Sequence, residues 1–237
     1  MIRNFLARFK RVAPVLTTQQ LARLDFIKQQ ISPASTANIT IDRIVVVDVE
    51  TSGLSLSNDY LLAIGAVAIH GGRISIADSF EVLLRQDTAS DKSNILVHGI
   101  GGTAQRNGLL PAEALLAFME YLDGAPLFAF HALFDETMLR KACRKFLGFE
   151  FRHAWIDLAF LLPELLPQHA KKCHALDDWL LRFSIHNEER HNALADALAT
   201  AQLGLVALHS SHVKGVESFS LLQEMEKAHR WLNVARY

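Results

Sequence analysis

The segment Ile44–Leu54, IVVVDVETSGL, decides the fold and gives the first sign of a functional site. Its first four residues are all β-branched, which predicts a strand buried on both faces of a sheet. Strand side chains alternate, so Asp48 and Glu50 project to one side before the turn at residues 51–53 ends the strand. Two like charges raise each other's pKa, and a bound metal ion removes that penalty. A solvated strand end is the alternative interpretation.

Another acidic residue stands where a strand passes into a helix. Residues 125–130 form a short apolar strand candidate, with Pro126 tolerable only at its start. From Asp135 to Leu147 the apolar residues recur at helical spacing, which predicts Asp135 in the first turn, facing back toward the strand. A carboxylate there binds a metal or complements the helix dipole, and this segment alone favours the dipole.

The third segment, RHNALADALATAQL at residues 190–203, is typical of a helix with a face of small residues for close packing. Asn192 is the predicted N-cap. His191 and Asp196 would lie about 140° apart on a continuous helix, so they converge only if His191 precedes the helix and Asp196 lies inside it. That arrangement suits a general base beside a metal ligand. A surface histidine and an unrelated aspartate are the alternative.

In this order and spacing, the three segments resemble the DEDD-type 3′→5′ exonucleases, the family of the proofreading subunit of bacterial replicative polymerase. The final His-x4-Asp resembles the subclass whose base is histidine, and the similarity runs from about Arg43 to Leu208. Three shorter matches agree: LLAIGAVAIHGGRI, VHGI at Val97–Ile100, and WIDLAFL around Asp157. The resemblance implies an α/β fold, namely an RNase H-like mixed five-stranded sheet flanked by helices.

The resemblance also implies the catalytic roles. Two divalent cations, Mg²⁺ or Mn²⁺, are expected ~3.5–4 Å apart, and carboxylate ligands suit these ions better than zinc. Four residues would ligate them: Asp48, Glu50, Asp135 and Asp196. His191 would take a proton from the metal-bound water that attacks the terminal phosphodiester.

Substrate contacts are implied at the turn after the first strand and at two histidines. The candidate substrate-binding residues are Thr51, Ser52, Gly53, Leu54, His98 and His131. Leu54 would wedge beneath the last base. The family often has His-Asn-Ala before the Phe-Asp of its second motif, whereas this chain has Phe130-His131-Ala132, a departure that we expect to affect substrate choice rather than the chemistry. Asp157 is interpreted as a cap of the following helix.

Composition agrees with a soluble enzyme that grips a few nucleotides at an end. The chain has 237 residues, half of them hydrophobic, which is enough for one sizeable α/β core. Its net charge of −1 differs from the strongly basic domains that coat long DNA. No stretch reaches the ~18–20 apolar residues of a membrane span. Cys143 and Cys173 form no CxxC pattern, which favours a reducing cytoplasm and no structural zinc.

Three parts of the chain are predicted. Residues 1–40 form a basic helical extension, 41–210 the exonuclease domain, and 211–237 a C-terminal helical segment packed on the core. Six Lys or Arg residues face one Asp within the first thirty residues, and the apolar spacing predicts two short helices broken near Pro14. The extension packs on the core in the preferred interpretation, and docks nucleic acid or a partner in the other.

Within the core, the pattern predicts a hairpin at Gly71-Gly72, a loop at Gly99–Pro111, and a helix from Pro111 to about Leu122. A turn is expected at Val213–Gly215, before a final helix at residues 218–232. The three tryptophans are expected to be core anchors rather than base-stacking platforms: Trp155, Trp179 and Trp231.

The function expected from these features is metal-dependent 3′→5′ hydrolysis of single-stranded or frayed DNA ends, releasing nucleoside 5′-monophosphates. An RNA-trimming enzyme of the same fold is one alternative. A non-catalytic docking partner in a replication or repair complex is another, although it would leave a repulsive carboxylate cluster without a purpose. A polymerase or repair partner is compatible with the resemblance, and the oligomeric state is left open.

Overall fold

A mixed five-stranded sheet organises the protein. The computed structural model describes residues 14–30 and 42–234. The strand order is β3-β2-β1-β4-β5, with the first three strands antiparallel and β1, β4 and β5 parallel. This sheet confirms the expected fold class. The strands are β1 Arg43–Thr51, β2 Leu61–His70, β3 Arg73–Leu83, β4 Leu127–Ala129 and β5 Trp155–Asp157.

Helices cover both faces of the sheet. One core cluster joins the sheet to α1, α4 and α5, and the other joins it to α6, α8, α9 and α10. The helices of the described residues are α1 Thr18–Gln30, α2 Lys92–His98, α3 Gly102–Asn107, α4 Pro111–Leu122, α5 Leu133–Phe146, α6 Leu158–Leu165, α7 Pro167–Ala170, α8 Leu176–Arg182, α9 Ala193–Val213 and α10 Phe219–Val234.

Strand β1 is the central strand, and its β-branched run is buried on both faces as predicted. Val45 and Val47 belong to the cluster on one side, whereas Ile44 and Val46 belong to the cluster on the side of α9. Strand alternation therefore directs the next even-numbered side chains, including Asp48, toward α9. The sheet thus brings the first acidic motif to the helix that carries the third.

A glycine in β2 allows α9 to approach the sheet. Gly65 is the cross-strand neighbour of Asp48 in β2. A Cβ atom built on Gly65 would lie 2.2 Å from the backbone carbon of Ala193 and the nitrogen of Leu194. Any side chain there would collide with the first turn of α9, because backbone atoms cannot move aside as a flexible side chain can. Glycine at this position therefore fixes how closely the start of α9 lies to Asp48.

Helix α9 lies across the centre of the sheet. Among the described residues, it is the one helix long and apolar enough to cross a membrane by length and composition, with a mean hydropathy of 1.2 over its best window. Half of that window is buried within the protein, and α9 packs against β1 and β2. A core helix passes the same test, so this property is weak evidence for a membrane span.

The two ends of the described chain pack on opposite faces of the sheet. Helix α1 buries Leu24 and Ile27 and contacts α4, where Arg23 forms ion pairs with Glu113 and Glu120. Helix α10 packs on α6 and β5. The predicted helix before Pro14 and the polar segment at residues 32–38 lie outside the described residues, so a docking role for the basic extension stays an expectation.

Most predicted elements are confirmed, including the Gly71-Gly72 hairpin, α4 and the turn before α10, but two expectations are wrong. The predicted Gly99–Pro111 loop contains α3, because buried Gln105 bonds to Ser90 and to the carbonyl of Ile100 and stabilises the turn. The turn expected at Val213–Gly215 is present at residues 214–215, since α9 runs through Val213. Trp231 was expected to anchor the core, but it is 72% exposed. At 3.6 residues per turn it lies about 120° round α10 from buried Phe219.

Candidate active site

A cleft of about 480 Å³ opens where the carboxyl-side end of β1 meets the N-terminal ends of α5 and α9. Nine of the eleven residues selected from the sequence line it: Asp48, Glu50, Thr51, Gly53, Leu54, His98, His131, His191 and Asp196. Ser52 and Asp135 are not among its lining residues. Three segments, the first and last of which lie more than 140 residues apart in the chain, therefore meet at one place.

Three carboxylates form the centre of the cleft. Oxygen atoms of Asp48, Glu50 and Asp196 all lie within 4.8 Å of one another. Asp48 and Glu50 are half-buried on β1, whereas Asp196 is buried in the first turn of α9. Oxygen ligands at this spacing fit a hard divalent cation such as Mg²⁺ or Mn²⁺. The donor set of the chain therefore fits the metal expected from the sequence.

The electrostatics of the cluster also favour a bound cation. Burial raises the pKa of Asp48 well above its usual range, and the charges of Asp135, Asp196 and Glu50 raise it further. Burial and the nearby Asp196 raise the pKa of Glu50 to about 8. Carboxyl groups that resist ionisation are stabilised as carboxylates by a cation. The acids at the end of β1 are thus not a solvated strand end.

Asp135 supports the cluster from behind. It lies in the first turn of α5, as predicted, and is 5% exposed. Burial raises its pKa, as do the charges of Asp157 and Glu50, whereas hydrogen bonds from its own backbone and from the backbone of Val49 lower it. The Asp135 carboxyl thus lies close to the backbone of Val49, between the two acids of the first motif. Asp135 is outside the group of three carboxylates that lie within 4.8 Å.

Asp196 is held by groups that the sequence did not identify. Its Oδ2 accepts a hydrogen bond of 2.9 Å from the backbone N–H of His191. Its Oδ1 accepts from the guanidinium of Arg190 and the side-chain amide of Asn187. Arg190 also contacts Asp177 at 3.0 Å. The one signal in the sequence is that Arg190 directly precedes His191, but it stands in a charged run, HNEER, that is typical of a solvated loop.

His191 sits outside α9, at the rim of the cleft. Its φ of 65° is left-handed, and the helix begins only after Asn192, whose side chain accepts from the backbone of Ala195 at 3.0 Å. The sharp turn leaves the imidazole exposed, while the backbone of His191 bonds to Asp196. The convergence that the five-residue spacing required is therefore present.

The turn after β1 is braced from inside the protein. The hydroxyl of Ser52 donates to Asp59 at 2.8 Å, which turns this side chain away from the cleft. A Cβ on Gly53 would lie 2.6 Å from the same carboxylate, so a larger residue would push the Asp59 side chain away from Ser52. Leu54 is 86% exposed above the cleft. The backbone of residues 51–54 and the Leu54 side chain are therefore what a ligand would meet.

Lys141 ties the following loop to α5. Its ammonium group donates to the carbonyl oxygens of Leu56, Ser57 and Asp59 at 3.1, 2.8 and 2.6 Å. An ammonium has three N–H donors, so all of them are used. The loop that continues from the Leu54 turn is thus fastened to the helix that carries Asp135.

The side chains of the other two histidines of the cleft, His98 and His131, differ in burial and in hydrogen bonding. His98 is buried, its Nε2 pairs with Asn94 at 2.7 Å, and its Nδ1 accepts from the backbone of Ile100 at 2.9 Å. Burial lowers the pKa of His98. With both ring nitrogens engaged, His98 shapes the wall of the cleft. His131 is exposed, has a left-handed φ of 61°, and donates its backbone N–H to Asp157 at 2.9 Å.

Asp157 is the structural residue that the sequence predicted. Its Oδ1 accepts from the backbone of Ala159 at 3.0 Å and thereby caps α6. The same oxygen accepts from His131, so the cap also fixes the bend that presents the second motif. Its side chain is outside the active-site cleft.

Curated relatives of similar sequence carry DNA polymerase III names and are much longer than this chain. The chain is 30% identical over 183 residues to the PolC-type DNA polymerase III of Thermotoga maritima, covering 77% of this chain and 13% of that protein. It is 31% identical over 187 residues to a DNA polymerase III subunit epsilon-like protein of Rhodobacter capsulatus, covering 77% of this chain and 26% of the relative. The chain therefore spans a minor part of each relative's length.

Solved structures share the fold. Exonuclease I of E. coli in complex with a dT13 oligonucleotide superposes with a TM-score of 0.60 at 18% identity, over 72% of this chain and 42% of that one. The nuclease domain of 3′hExo, described as a DEDDh family member bound to rAMP, gives 0.62 at 15% identity, over 75% and 94%. The RNase H-like arrangement expected from the sequence is thus confirmed.

A family model establishes the relationship independently. The model RNase_T, described as exonuclease, matches residues 45–203. These residues run from β1 into α9 and include every acidic residue of the cleft. Because the match spans more than half of its length, the chain belongs to the RNase_T exonuclease family.

Proposed function

We propose that this protein is a metal-dependent 3′→5′ exonuclease that hydrolyses the terminal phosphodiester of single-stranded or frayed DNA and releases nucleoside 5′-monophosphates. The observation that carries the proposal is the group of three carboxylates, Asp48, Glu50 and Asp196, beside His191 in one cleft. Family membership supports the reaction class. Exonuclease I, whose solved complex holds a dT13 oligonucleotide, supports single-stranded DNA as the substrate.

Two divalent cations, Mg²⁺ or Mn²⁺, complete the site in this proposal. Asp48, Glu50 and Asp196 would hold them together with Asp135, whose charge acts on Asp48. Such cations supply positive charge for the phosphate and leaving oxygens and lower the pKa of bound water. The raised pKa values of Asp48 and Glu50 support this role, because the acids remain costly to ionise until a cation is present.

The residues of the chain perform the remaining steps. His191 takes the proton of the attacking water, for which its exposed imidazole at the rim is suited. Backbone groups of residues 51–54 hold the 3′-terminal nucleotide, and exposed Leu54 supports its base. Asp196 and His191 remain aligned because the backbone of one bonds the carboxylate of the other. His131 and Phe134 continue the wall beyond the scissile bond.

A time course with 5′-labelled DNA and RNA oligonucleotides of identical sequence tests the proposal. Samples contain Mn²⁺, Mg²⁺ or EDTA, and the Asp48→Asn variant serves as the matched inactive control. We expect DNA to shorten stepwise from its 3′ end only with a metal, and faster than RNA. Release of the 5′ label as a mononucleotide in the first steps would show that the enzyme degrades DNA in the 5′→3′ direction instead. Intact DNA and RNA with folded protein and metal would contradict the proposed activity.

Partners follow from the relatives rather than from the cleft. Both curated relatives described above carry polymerase III names, so we propose a polymerase or repair complex as a partner. We also propose that the protein acts in the cytoplasm. Co-purification of the full chain with a polymerase subunit tests this part separately from the nuclease assay.

A further inference from the structure

A second cleft adjoins the active-site cleft. It has a volume of about 350 Å³ and is lined by Leu56, His131, Leu133, Phe134, Asp157, Phe160 and Arg230. His131 and Phe134 also line the active-site cleft, so the two depressions share a wall. A strand whose 3′ end occupies the first cleft can pass directly into the second. We call this second depression the side cleft.

The lining of the side cleft is apolar and open to solvent. Leu133 at the start of α5 is 57% exposed. Leu56, in the loop that Lys141 fastens to α5, is 42% exposed. Large apolar side chains exposed around one concave surface are typical of a binding site. Leu56 is also held in place, because Lys141 fastens the carbonyl of that residue to α5. The walls are therefore set before a ligand arrives.

Arg230 and the Phe160 ring stacked on it form the far side of the side cleft. Its guanidinium carbon lies 4.7 Å from the centre of the Phe160 ring. Its Nε donates to Glu226 at 2.8 Å, and the guanidinium lies 3.5 Å from Asp157. Both acids are buried, so the positive charge is already compensated. A phosphate would find little free charge here, whereas a planar, neutral group can pack against the Phe160–Arg230 pair and the apolar walls.

The side of the cleft that Arg230 forms lies in a part of the chain beyond the family match. Arg230 lies on α10, whereas the matched residues end at 203. α10 is held to α6 by buried Phe219 and Leu222, so the position of Arg230 is fixed by the core. The side cleft is thus completed by the C-terminal helix rather than by the shared exonuclease fold.

We propose that the side cleft binds a nucleobase of the substrate strand, one to a few nucleotides on the 5′ side of the scissile bond. This inference rests on the proposed exonuclease function. The shared wall gives the strand a path, the volume and apolar lining accept a flat ring, and the compensated Arg230 favours a base over a phosphate. Stacking tolerates every base, so the cleft adds affinity without sequence preference.

Oligonucleotides with one abasic position test the proposal. The missing base is placed, in turn, at the second to fifth nucleotide from the 3′ end, and KM and kcat are measured for the first cleavage. We expect one position at which loss of the base raises KM by about 5- to 50-fold, with kcat changed little. The Leu133→Ala variant should have a raised KM on intact DNA. Removing the base at that position should raise the KM of this variant little further.

Two further variants separate a base contact from damage to the fold. Arg230→Lys keeps the charge beside Asp157 but removes the planar face, and it should raise KM on intact DNA. Ile76→Ala changes a side chain of similar exposure, 62%, on β3 at the opposite edge of the sheet, and it should behave as the wild type. A similar loss in Ile76→Ala would point to an indirect effect and overturn the proposal.

Equilibrium binding keeps the inference distinct from the activity. The affinity for the same oligonucleotides is measured by fluorescence anisotropy in EDTA, where no hydrolysis is expected. A wild type that cleaves DNA but shows no position-specific effect in either assay would refute the side cleft and leave the exonuclease function standing. Absence of cleavage would refute the function, and the binding data would still decide the site. A Leu133→Ala variant altered only in oligomeric state would identify a protein interface instead.

Discussion

Two histidines at the active site share an uncommon backbone conformation. His131 and His191 are two of the four non-glycine residues with positive φ in the part of the chain that the structure describes. Asparagine enters the left-handed region more readily than most residues, so it can replace either histidine without unfolding the turn. The pair therefore allows a direct comparison between a proposed base and a proposed substrate contact.

His191→Asn should reduce kcat by about 10²- to 10⁴-fold, the usual effect of removing a general base. Mn²⁺ binding, measured by isothermal titration, should change little, because Asp48, Glu50 and Asp196 remain. His131→Asn is the matched control and should affect KM more than kcat, since this residue lines the wall shared with the side cleft. Full activity of His191→Asn would remove this residue from the role of base.

Asp48→Asn should abolish cleavage and yet stabilise the metal-free protein. Burial and three neighbouring carboxylates raise the pKa of Asp48, so its charge is destabilising when no cation is bound. We expect the unfolding temperature in EDTA to rise by ~2–4 °C for each kcal/mol of relieved repulsion. Leu181→Ala, a change at an 82% exposed residue on α8, controls for surface effects. An unchanged or lower temperature for Asp48→Asn would contradict the electrostatic account of the cluster.

The positions of some active-site residues could be predicted from the sequence, whereas the contacts of others could not. Strand alternation predicted the common side of Asp48 and Glu50, and the five-residue spacing predicted the position of His191 relative to Asp196. Arg190 was not predicted, because its contact with Asp196 requires the loop to fold back over α9. Ser52 was expected at the substrate, but its hydroxyl bonds Asp59 behind the turn. Both depend on contacts between segments that no local pattern encodes.

At the scale of elements, the contact between β2 and α9 determines where the third motif lies. Gly65→Ala would place a methyl group against the backbone at Ala193. We expect destabilisation of about 1–3 kcal/mol, typical of overpacking. Since a 1 Å displacement of a catalytic group can cost ~10²-fold, kcat should also fall as Asp196 is pushed from Asp48. Thermal unfolding and initial rates measure the two effects.

Gly204→Ala on the same helix is the control for that substitution. Its new Cβ would meet side-chain atoms, Cδ1 of Ile69 at 3.2 Å and Cδ2 of Phe128 at 3.4 Å, which can shift. It also gains the helix propensity of alanine. We expect near-normal activity in Gly204→Ala. If Gly65→Ala were equally benign, the close approach would not position the site.

Elements with strong local signals were predicted from sequence, and those held by tertiary contacts were not. The hairpin at Gly71-Gly72 and the helix opened by Pro111 carry their own turn and start signals. Helix α3 has six residues, which is too short for hydrophobic periodicity to reveal, and it depends on buried Gln105. Gly65 did carry a signal, since an isolated glycine in an apolar strand indicates a close backbone approach.

For the whole molecule, stability should depend jointly on pH and metal. The pKa of Glu50 is about 8 in the folded protein and 4.5 when unperturbed, so the folded state binds more protons between these pH values. Stability of the metal-free protein should therefore fall as pH rises from about 4.5 to 8. A cation stabilises the ionised acids, so the gap in unfolding temperature between Mn²⁺ and EDTA should widen over the same range.

Differential scanning calorimetry at pH 5, 6, 7 and 8 measures that gap. Glu50→Gln removes this titrating group and should flatten the pH dependence in EDTA. Glu224→Gln, at an exposed residue on α10, leaves the cleft unchanged and should keep the wild-type slope. A gap that is constant with pH would show that the acids are ionised in the metal-free protein.

The loop clamped by Lys141 has a consequence for the chemistry of the protein surface. Three carbonyl acceptors occupy all three N–H donors of this amine, so it must leave them before it can lose a proton and act as a nucleophile. Lys145, one turn along α5, is exposed with its ammonium 4.7 Å from the centre of the Phe146 ring. Under amine acylation followed by mass spectrometry, Lys141 should be labelled more slowly than Lys145. Once acylated it would lose its charge, and the loop that carries Leu56 would be released from α5.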